Sequence, residues 1–487
     1  MFTVTLLCVV WCACAVLAWR AYLRRGTAHP LPPPLPGALP IIGHAHLISG
    51  DTEKIWEILN TMAKECMANG GVLHAQIGTQ IYYLITDPDD ALTVANTCLH
   101  KHFIYDYIKS WLGSGLLTSS GPLWQRHRKL LNPAFTVPVI HKFLGIFNTM
   151  AKQFICEVEP QVGKGSFEIG SYLRLIAFQT FSRTAFGIDD ENVKDFAREY
   201  MESSDQVMNM VVHRFQNIWL HSDFIFGLSG LKSKTDKLIK HLDDMANQVI
   251  ERKKEDIKTS KEKKLNEYKP LMSLLLELKN DDSLTEKEIK EEVDTAIVAG
   301  FDTTSNTLTF LLVLLGHHPQ VQQKMYEEII EVLGPDRDIE KDDIRKLVYT
   351  EAVIKEALRV FPIGPALLRY VEHDTKLKNY TMPAGSQCVI LTLGTHRNPL
   401  WGEDVNEFKP ERWLDPAIAS QGNNAFYGFS IGKRSCIGRT YAMISMKATL
   451  SHFVRRFRIY ANMIELGFKV DMVLKPTTAK ISIENRN

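Results

Sequence analysis

The chain is poor in cysteine, with eight among 487 residues. Cys8, Cys12 and Cys14 share the first apolar segment, while Cys66, Cys98, Cys156, Cys388 and Cys436 lie far apart. No Cys-x-x-Cys pair and no Cys/His zinc spacing occurs. This excludes a disulfide-stapled scaffold and a zinc module, and suits a reducing compartment. Excess charge is also missing. The 57 Lys and Arg against 56 Asp and Glu leave a net charge of +1, so the overall balance gives no nucleic-acid signal. Repeats of fixed period and long low-complexity tracts are absent. With 45% apolar and 23% charged residues, the composition excludes global disorder and allows a large core.

One long hydrophobic run breaks this evenness. Phe2 to Trp19 carries no charge, and Arg20, Arg24 and Arg25 follow. As a helix it would span about 27 Å, close to a bilayer's hydrocarbon thickness. Positive residues prefer the cytoplasmic side. Residues 1–25 therefore read as a single-pass anchor with its basic stop. Ala13-Cys14-Ala15 has the small-x-small form of a signal-peptide cleavage site, but no basic residue precedes the run, and the charges sit on the wrong side. The prolines between Pro30 and Pro40 fix φ and remove donors. Residues 26–45 read as a stiff hinge, in preference to a proline-rich signalling ligand, and 46–487 as the catalytic domain.

The remainder reads as mainly α with minor β sheet. Ser283-x-x-Glu286 and Thr285-x-x-Glu288 are capping-box spacings, and they open a helical pattern that runs to about Gly316. Pro319 starts another helix, which Gly334 stops. Strands are expected at Ile81–Ile85, Cys388–Leu391 and Lys480–Ile483, with turn and strand edge over Tyr380–Gly385. The charged tract from Glu251 to Lys269 has no apolar face and reads as a solvated helix end and loop.

The most informative stretch is Phe429-Ser430-Ile431-Gly432-Lys433-Arg434-Ser435-Cys436-Ile437-Gly438. A cysteine thiolate on haem iron pushes electron density onto the metal and favours O–O cleavage. Its sulfur must be kept deprotonated and dry. Glycines at 432 and 438 let backbone approach a flat macrocycle. Arg434 suits a propionate, a helix beginning near Cys436 lowers the thiol pKa, and Phe429 shields the sulfur. The stretch resembles the haem-binding motif of the cytochrome P-450 superfamily at every fixed position. The resemblance implies haem b with Cys436 as its axial thiolate.

Three further segments extend that resemblance, in the family's order, from about Trp124 to Met443. Glu356 and Arg359 share a helix face and, with Arg412, resemble the structural triad that locks the segment before the cysteine. Trp124 and Arg128, one helical turn apart, and Arg369 fall where the family binds haem propionates. Ala299-Gly300-Phe301-Asp302-Thr303-Thr304 resembles the oxygen-activation motif. A kink is expected there, with Asp302 and Thr303 as a catalytic acid–alcohol relay and Ala299 and Gly300 against the cofactor.

Glu292-Val293-Asp294-Thr295 and Trp413-Leu414-Asp415-Pro416 look like the fatty-acid ω-hydroxylase clan with its many insect members. Ala299 stands where many members carry a glutamate that esterifies the haem, so haem here is expected to be held by the Cys436 bond and packing, and terminal-carbon selectivity is in doubt. The implied activity is a monooxygenase of the endoplasmic-reticulum membrane, its catalytic domain facing the cytosol. It would insert one oxygen atom of O2 into an apolar substrate. Electrons would come from NADPH through a cytochrome reductase, with cytochrome b5 as an optional donor. Lys129, Lys433 and Arg439 offer a basic face for that partner. A peroxide-rearranging haem-thiolate isomerase needs no relay, and a haem-sequestering protein needs neither Asp302 nor Thr303. A secreted protein would require loss of the first segment. The pocket is expected between Lys101 and Leu117 and between Met201 and Phe226, where Phe103, Tyr105, Trp111, Phe215, Trp219 and Phe224 suit a lipid-like ligand. Fatty acids, terpenoids, hormones, odorants and xenobiotics all remain open.

Overall fold

Thr285 and Glu288 form the expected capping box. The Thr285 hydroxyl accepts the Glu288 N–H at 3.2 Å and the Glu288 carboxylate accepts the Thr285 N–H at 2.9 Å, so two otherwise orphaned donors are satisfied. The helix they open, Glu286–His317, has 32 residues and is about 48 Å long. In the computed structural model, which describes residues 29–188, 193–258, 270–422 and 424–486, this helix is the central strut. It is long and apolar enough to cross a membrane, yet 83% of its apolar window is buried in protein. Two bare Cα atoms let its neighbours close in. A Cβ on Gly300 would lie 2.3 Å from the Phe181 ring of the Gly170–Phe181 helix, and one on Gly316 would lie 2.7 Å from Ala461. The next helix, Pro319–Leu333, starts on its proline and stops at Gly334 with φ +67°.

A five-stranded sheet closes one side of the molecule. Its strands are β1 (Val72–Ile77), β2 (Gln80–Ile85), β3 (His100–Lys101), β4 (Ala366–Tyr370) and β5 (Gln387–Leu391). The spatial order is β1-β2-β5-β4-β3. Strands β2 and β5 run parallel, with Tyr82 opposite Gln387, and the other pairs are antiparallel. The order joins two remote segments and sets Lys101 directly opposite Arg369. A second sheet has Lys480–Asn485 between Phe167–Glu168 and Phe457–Ala461. The three expected strands are present to within two residues at each end. Thr381–Met382 pairs with Thr375–Lys376, and Gly385 turns at φ +88°.

The anchor expected over residues 1–25 lies outside the described residues. The proline segment is docked on the sheet edge: the Leu35 N–H donates to the His74 carbonyl at 2.7 Å, and the His74 N–H donates to the Pro33 carbonyl at 2.9 Å. In the charged tract, the Gly230–Lys258 helix continues to Lys258. Lys253, expected in solvent, is 1% exposed, with its Nζ near Gly187. Residues 259–269 lie outside the described part.

Candidate active site

The segment before Cys436 is held by a buried chain of hydrogen bonds that begins on the Val348–Val360 helix. Arg359 grips the Glu356 carboxylate with two bonds of 2.8 Å. Arg412 Nε and the Lys409 N–H both reach Oε1 at 2.9 Å, and Trp413 Nε1 reaches Oε2 at 3.0 Å. Glu356, Arg359 and Arg412 are all buried. Such charges persist inside a protein only when every one is paired and hydrogen-bonded. His396 relays this lock onward. Its Nδ1 donates to the Arg359 carbonyl at 3.1 Å and its Nε2 accepts the Tyr427 N–H at 2.7 Å. Burial pushes its pKa down to about 3, so the ring is neutral and its tautomer is set. Tyr427 then donates its hydroxyl to Pro88 at 2.9 Å. The backbone turns through Ser430 (φ +58°) and Gly432 (φ +70°) and returns so that the Cys436 N–H meets the Phe429 carbonyl at 2.9 Å.

Cys436 is exposed to solvent yet densely surrounded by protein, which places it at the floor of an interior cleft. Burial raises the thiol pKa, while the Gly438 N–H, Arg128 and Arg439 pull it back. The following helix begins at Arg439 with Gly438 as its cap, three residues later than expected. Gly432 also has a different neighbour from the expected one. A Cβ there would lie 2.8 Å from the Ala95 carbonyl, so its bareness admits the Pro88–Thr97 helix.

Four cations crowd the same cleft. Arg128, on the Gly121–Leu131 helix, donates to the Ser435 carbonyl at 2.8 Å. The Arg434 guanidinium lies 4.6 Å above the Trp124 ring and donates to the Ser119 carbonyl. Arg369 is 2% exposed, and Lys101 lies 4.2 Å above the Tyr105 ring. Among the described residues none of the four makes an ion pair, and the Nε atoms of Arg369 and Arg434 have no hydrogen-bond partner. Burial, Arg369 and Arg128 push the Arg434 pKa down to about 9. Burial, with Arg369 and Arg434 beside it, drives Lys101 well below the ordinary lysine range. Like charges held together without a counter-ion imply a polyanionic guest. Two propionates on a flat macrocycle meet that need, and Cys436 supplies a thiolate for its iron, so the donor set fits haem. Lys101 was missed by the sequence reading, because only the β3–β4 register brings it here.

The long helix shows the cleft one narrow face. Ala296, Ala299, Gly300 and Thr303 are the accessible positions within an otherwise buried stretch, at the i, i+3, i+4, i+7 spacing of a single stripe. The helix runs unbroken through Ala299–Thr304. The Thr303 hydroxyl bonds back to the Ala299 carbonyl at 2.8 Å, and thereby satisfies itself within the helix. Gly300 is bare because Phe181 packs on it.

Asp302 points away from that stripe. It is 6% exposed, 2.9 Å from Lys475 and 3.8 Å from Arg174. Lys475 also meets Asp205 at 3.1 Å and Asp471 at 3.3 Å, and Arg174 clasps Asp205 with bonds of 2.7 and 3.0 Å. Burial raises the Asp205 carboxyl, but Lys475 and Arg174 more than offset it and hold it below the ordinary range. Asp471 has less help, and burial leaves its carboxyl at about 6. Asp302 and Thr303 are adjacent in sequence, but their side chains have separate partners. The ionic cluster was invisible in the sequence because its members come from four elements.

A cleft with a cysteine at its floor and a cationic rim is the site of a haem-thiolate protein. The family description Cytochrome P450 matches residues 32–481. Cytochrome P450 4c21 of Blattella germanica is 33% identical, over 84% of this chain and 85% of its own length. Cytochrome P450 4c3 of Drosophila melanogaster is 29% identical over 91% and 87%, and Cytochrome P450 4V2 of Mus musculus is 29% identical over 94% and 90%. The chain belongs to the cytochrome P450 family and is a haem monooxygenase. These insect and mammalian relatives carry the family-4 designation, which bears out the expected clan.

Proposed function

We propose that this chain is a membrane-anchored monooxygenase of the endoplasmic reticulum that hydroxylates apolar substrates with NADPH-derived electrons. The observation that carries the reading is the set of four ion-pair-free cations around Cys436. Cys436 ligates the iron, and Lys101, Arg128, Arg369 and Arg434 receive the propionates, with Trp124 stacked beneath Arg434. Phe429, Gly432 and Gly438 shape the cysteine turn, and Ala299, Gly300 and Thr303 belong to the helix across the cleft. Haem, when bound, supplies the oxygen-activating chemistry. Thr303 offers a hydroxyl toward the cleft when it leaves Ala299, and Asp302 delivers protons when it leaves Lys475.

An apolar cavity supports the substrate class. Val212, Phe215, Tyr105, Leu368, Leu391 and Met472 are among its walls. Trp219, Phe224 and Leu228 are exposed at 64%, 75% and 75%, an apolar surface suited to lipid, beside a helix whose Gln216 carbonyl accepts the Ser49 hydroxyl at 3.2 Å. Residues 1–25 anchor the chain, 26–45 form the hinge, and 46–487 form the catalytic domain on the cytosolic side. Exposed Lys129, Lys433 and Arg439 form the face for a reductase or cytochrome b5. The test is the carbon-monoxide difference spectrum of the reduced protein in membranes, with Cys436→Ser beside it. A red-shifted Soret band in wild type that vanishes in the variant is expected. A folded, well-expressed protein without a haem band would refute the reading.

A further inference from the structure

The cavity has almost no polar lining. Among the described residues no Lys, Arg, Asp or Glu borders it, and its polar side chains are His44, Tyr82, Tyr105 and Gln216. His44 is already used: Nε2 reaches the Leu35 carbonyl at 2.7 Å and Nδ1 accepts the Gln76 N–H at 2.9 Å. Tyr105 lies at the cofactor end, in the field of Arg369 and Arg434. That leaves Tyr82 and Gln216.

The proton on Tyr82 can be located. The Ile104 N–H donates to His102 Nδ1 at 3.1 Å, so that nitrogen carries no hydrogen. Burial holds the His102 pKa at about 3, so the ring is neutral and its hydrogen sits on Nε2. Nε2 lies 3.1 Å from the Tyr82 hydroxyl oxygen, and it must be the donor there. The tyrosine oxygen therefore accepts, and its own O–H has no acceptor among the described residues. Gln216 is 3% exposed, and its Nε2 has no partner among the described residues. Both residues border the same cavity. A buried donor left unspent is unfavourable unless a ligand completes it.

We infer that the cavity binds an elongated apolar molecule bearing one neutral hydrogen-bond-accepting oxygen, an ester, ketone or ether, which Tyr82 and Gln216 hold. This rests on the proposed reading of the cavity as the substrate's place. A carboxylate is disfavoured, because it would lose its hydration without meeting a cation in the lining. The cleft's cations are committed to the cofactor.

The test titrates the haem-loaded enzyme with tridecane, methyl dodecanoate and dodecanoate at pH 7.5, reading the substrate-induced Soret shift. The carbon-monoxide band serves as the control for an intact fold. The ester is expected to bind about tenfold more tightly than the alkane, and more tightly than the acid. Tyr82→Phe and, independently, Gln216→Leu are each expected to weaken the ester several-fold and leave the alkane unchanged. Equal affinity for ester and alkane, or variants that change neither, would overturn the subsite while leaving the monooxygenase reading intact. Tighter binding of the acid would overturn the choice of a neutral oxygen. Absence of any shift, with the carbon-monoxide band present, would overturn the cavity as the substrate's place and the subsite with it.

Discussion

Replacing Lys475 by methionine removes the hub of the buried ionic cluster and keeps the side chain's bulk. In the wild type Lys475 is 5% exposed and lies within 3.3 Å of three carboxylates, those of Asp302, Asp205 and Asp471. In the variant the cations left facing them would be Arg174, 26% exposed, and Lys469, 25% exposed and 3.5 Å from Asp471. Breaking a buried pair in this way costs about 3–5 kcal/mol. At about 2.1 cal/mol/K per residue, the unfolding entropy of a chain this long is about 1 kcal/mol/K, so the melting temperature should fall by about 3–5 °C. The pH dependence gives a second check. Burial already lifts Asp471 to about 6, and a raised carboxyl contributes stability below its unfolded pKa that is lost as pH rises through the folded one. Losing Lys475 lifts it further, so the deficit should be larger at pH 7.5 and shrink at pH 5.5. Thermal loss of the carbon-monoxide band, followed in parallel for wild type and variant at both pH values, measures this. A deficit under 1 °C, or one that grows on acidification, would refute the account of the cluster.

Glu356→Gln should lower the yield of haem-loaded protein severely, since it leaves Arg359 buried without its counter-charge, and Arg412 with Asp404 alone at 3.0 Å, at a cost of about 3–5 kcal/mol; the ratio of haem absorbance to total protein reports it. Gly300→Ala should destabilise by about 1–3 kcal/mol through overpacking on Phe181, and Phe181→Leu in the same chain should recover part of it in a thermal melt. His127 is packed between Glu292 at 2.6 Å and Glu288 at 3.3 Å. Burial lowers its pKa, but the two glutamates outweigh that and leave it raised. Its contribution is thus present below about 6.5 and is lost as pH rises through the folded value, so His127→Gln should lower the melting temperature more at pH 6 than at pH 9.

The elements carrying local signals were legible before any coordinates. The Thr285–Glu288 box, the Pro319 start and the Gly334 stop each depend on contacts within a few residues, and each stands where the pattern placed it. The cysteine segment was readable because its chemistry is concentrated in ten consecutive positions. Asp302 was read as half of a relay with Thr303 because the two are neighbours in sequence. Successive helical positions differ by about 100°, and the structure turns one toward the cleft and the other into an ionic cluster. Lys101, His396 and Lys475 carried no local mark. A lone lysine or histidine in sequence is ordinarily a solvated or packed residue, and only strand register and long-range packing give these three their partners.

The four cations around Cys436 also bear on how much enzyme a cell can keep. Lys101 and Arg128 come from the early part of the chain, and Arg369 and Arg434 from the late part. Bringing them together is self-repulsive until two negative groups arrive. Haem then acts as a folding ligand as well as a catalyst, stabilising the native state in proportion to the logarithm of its free concentration. In a haem-starved cell a larger fraction of each newly made batch would stay partly open and be cleared by proteolysis. Abundance of the protein would then follow haem supply without any change in transcription.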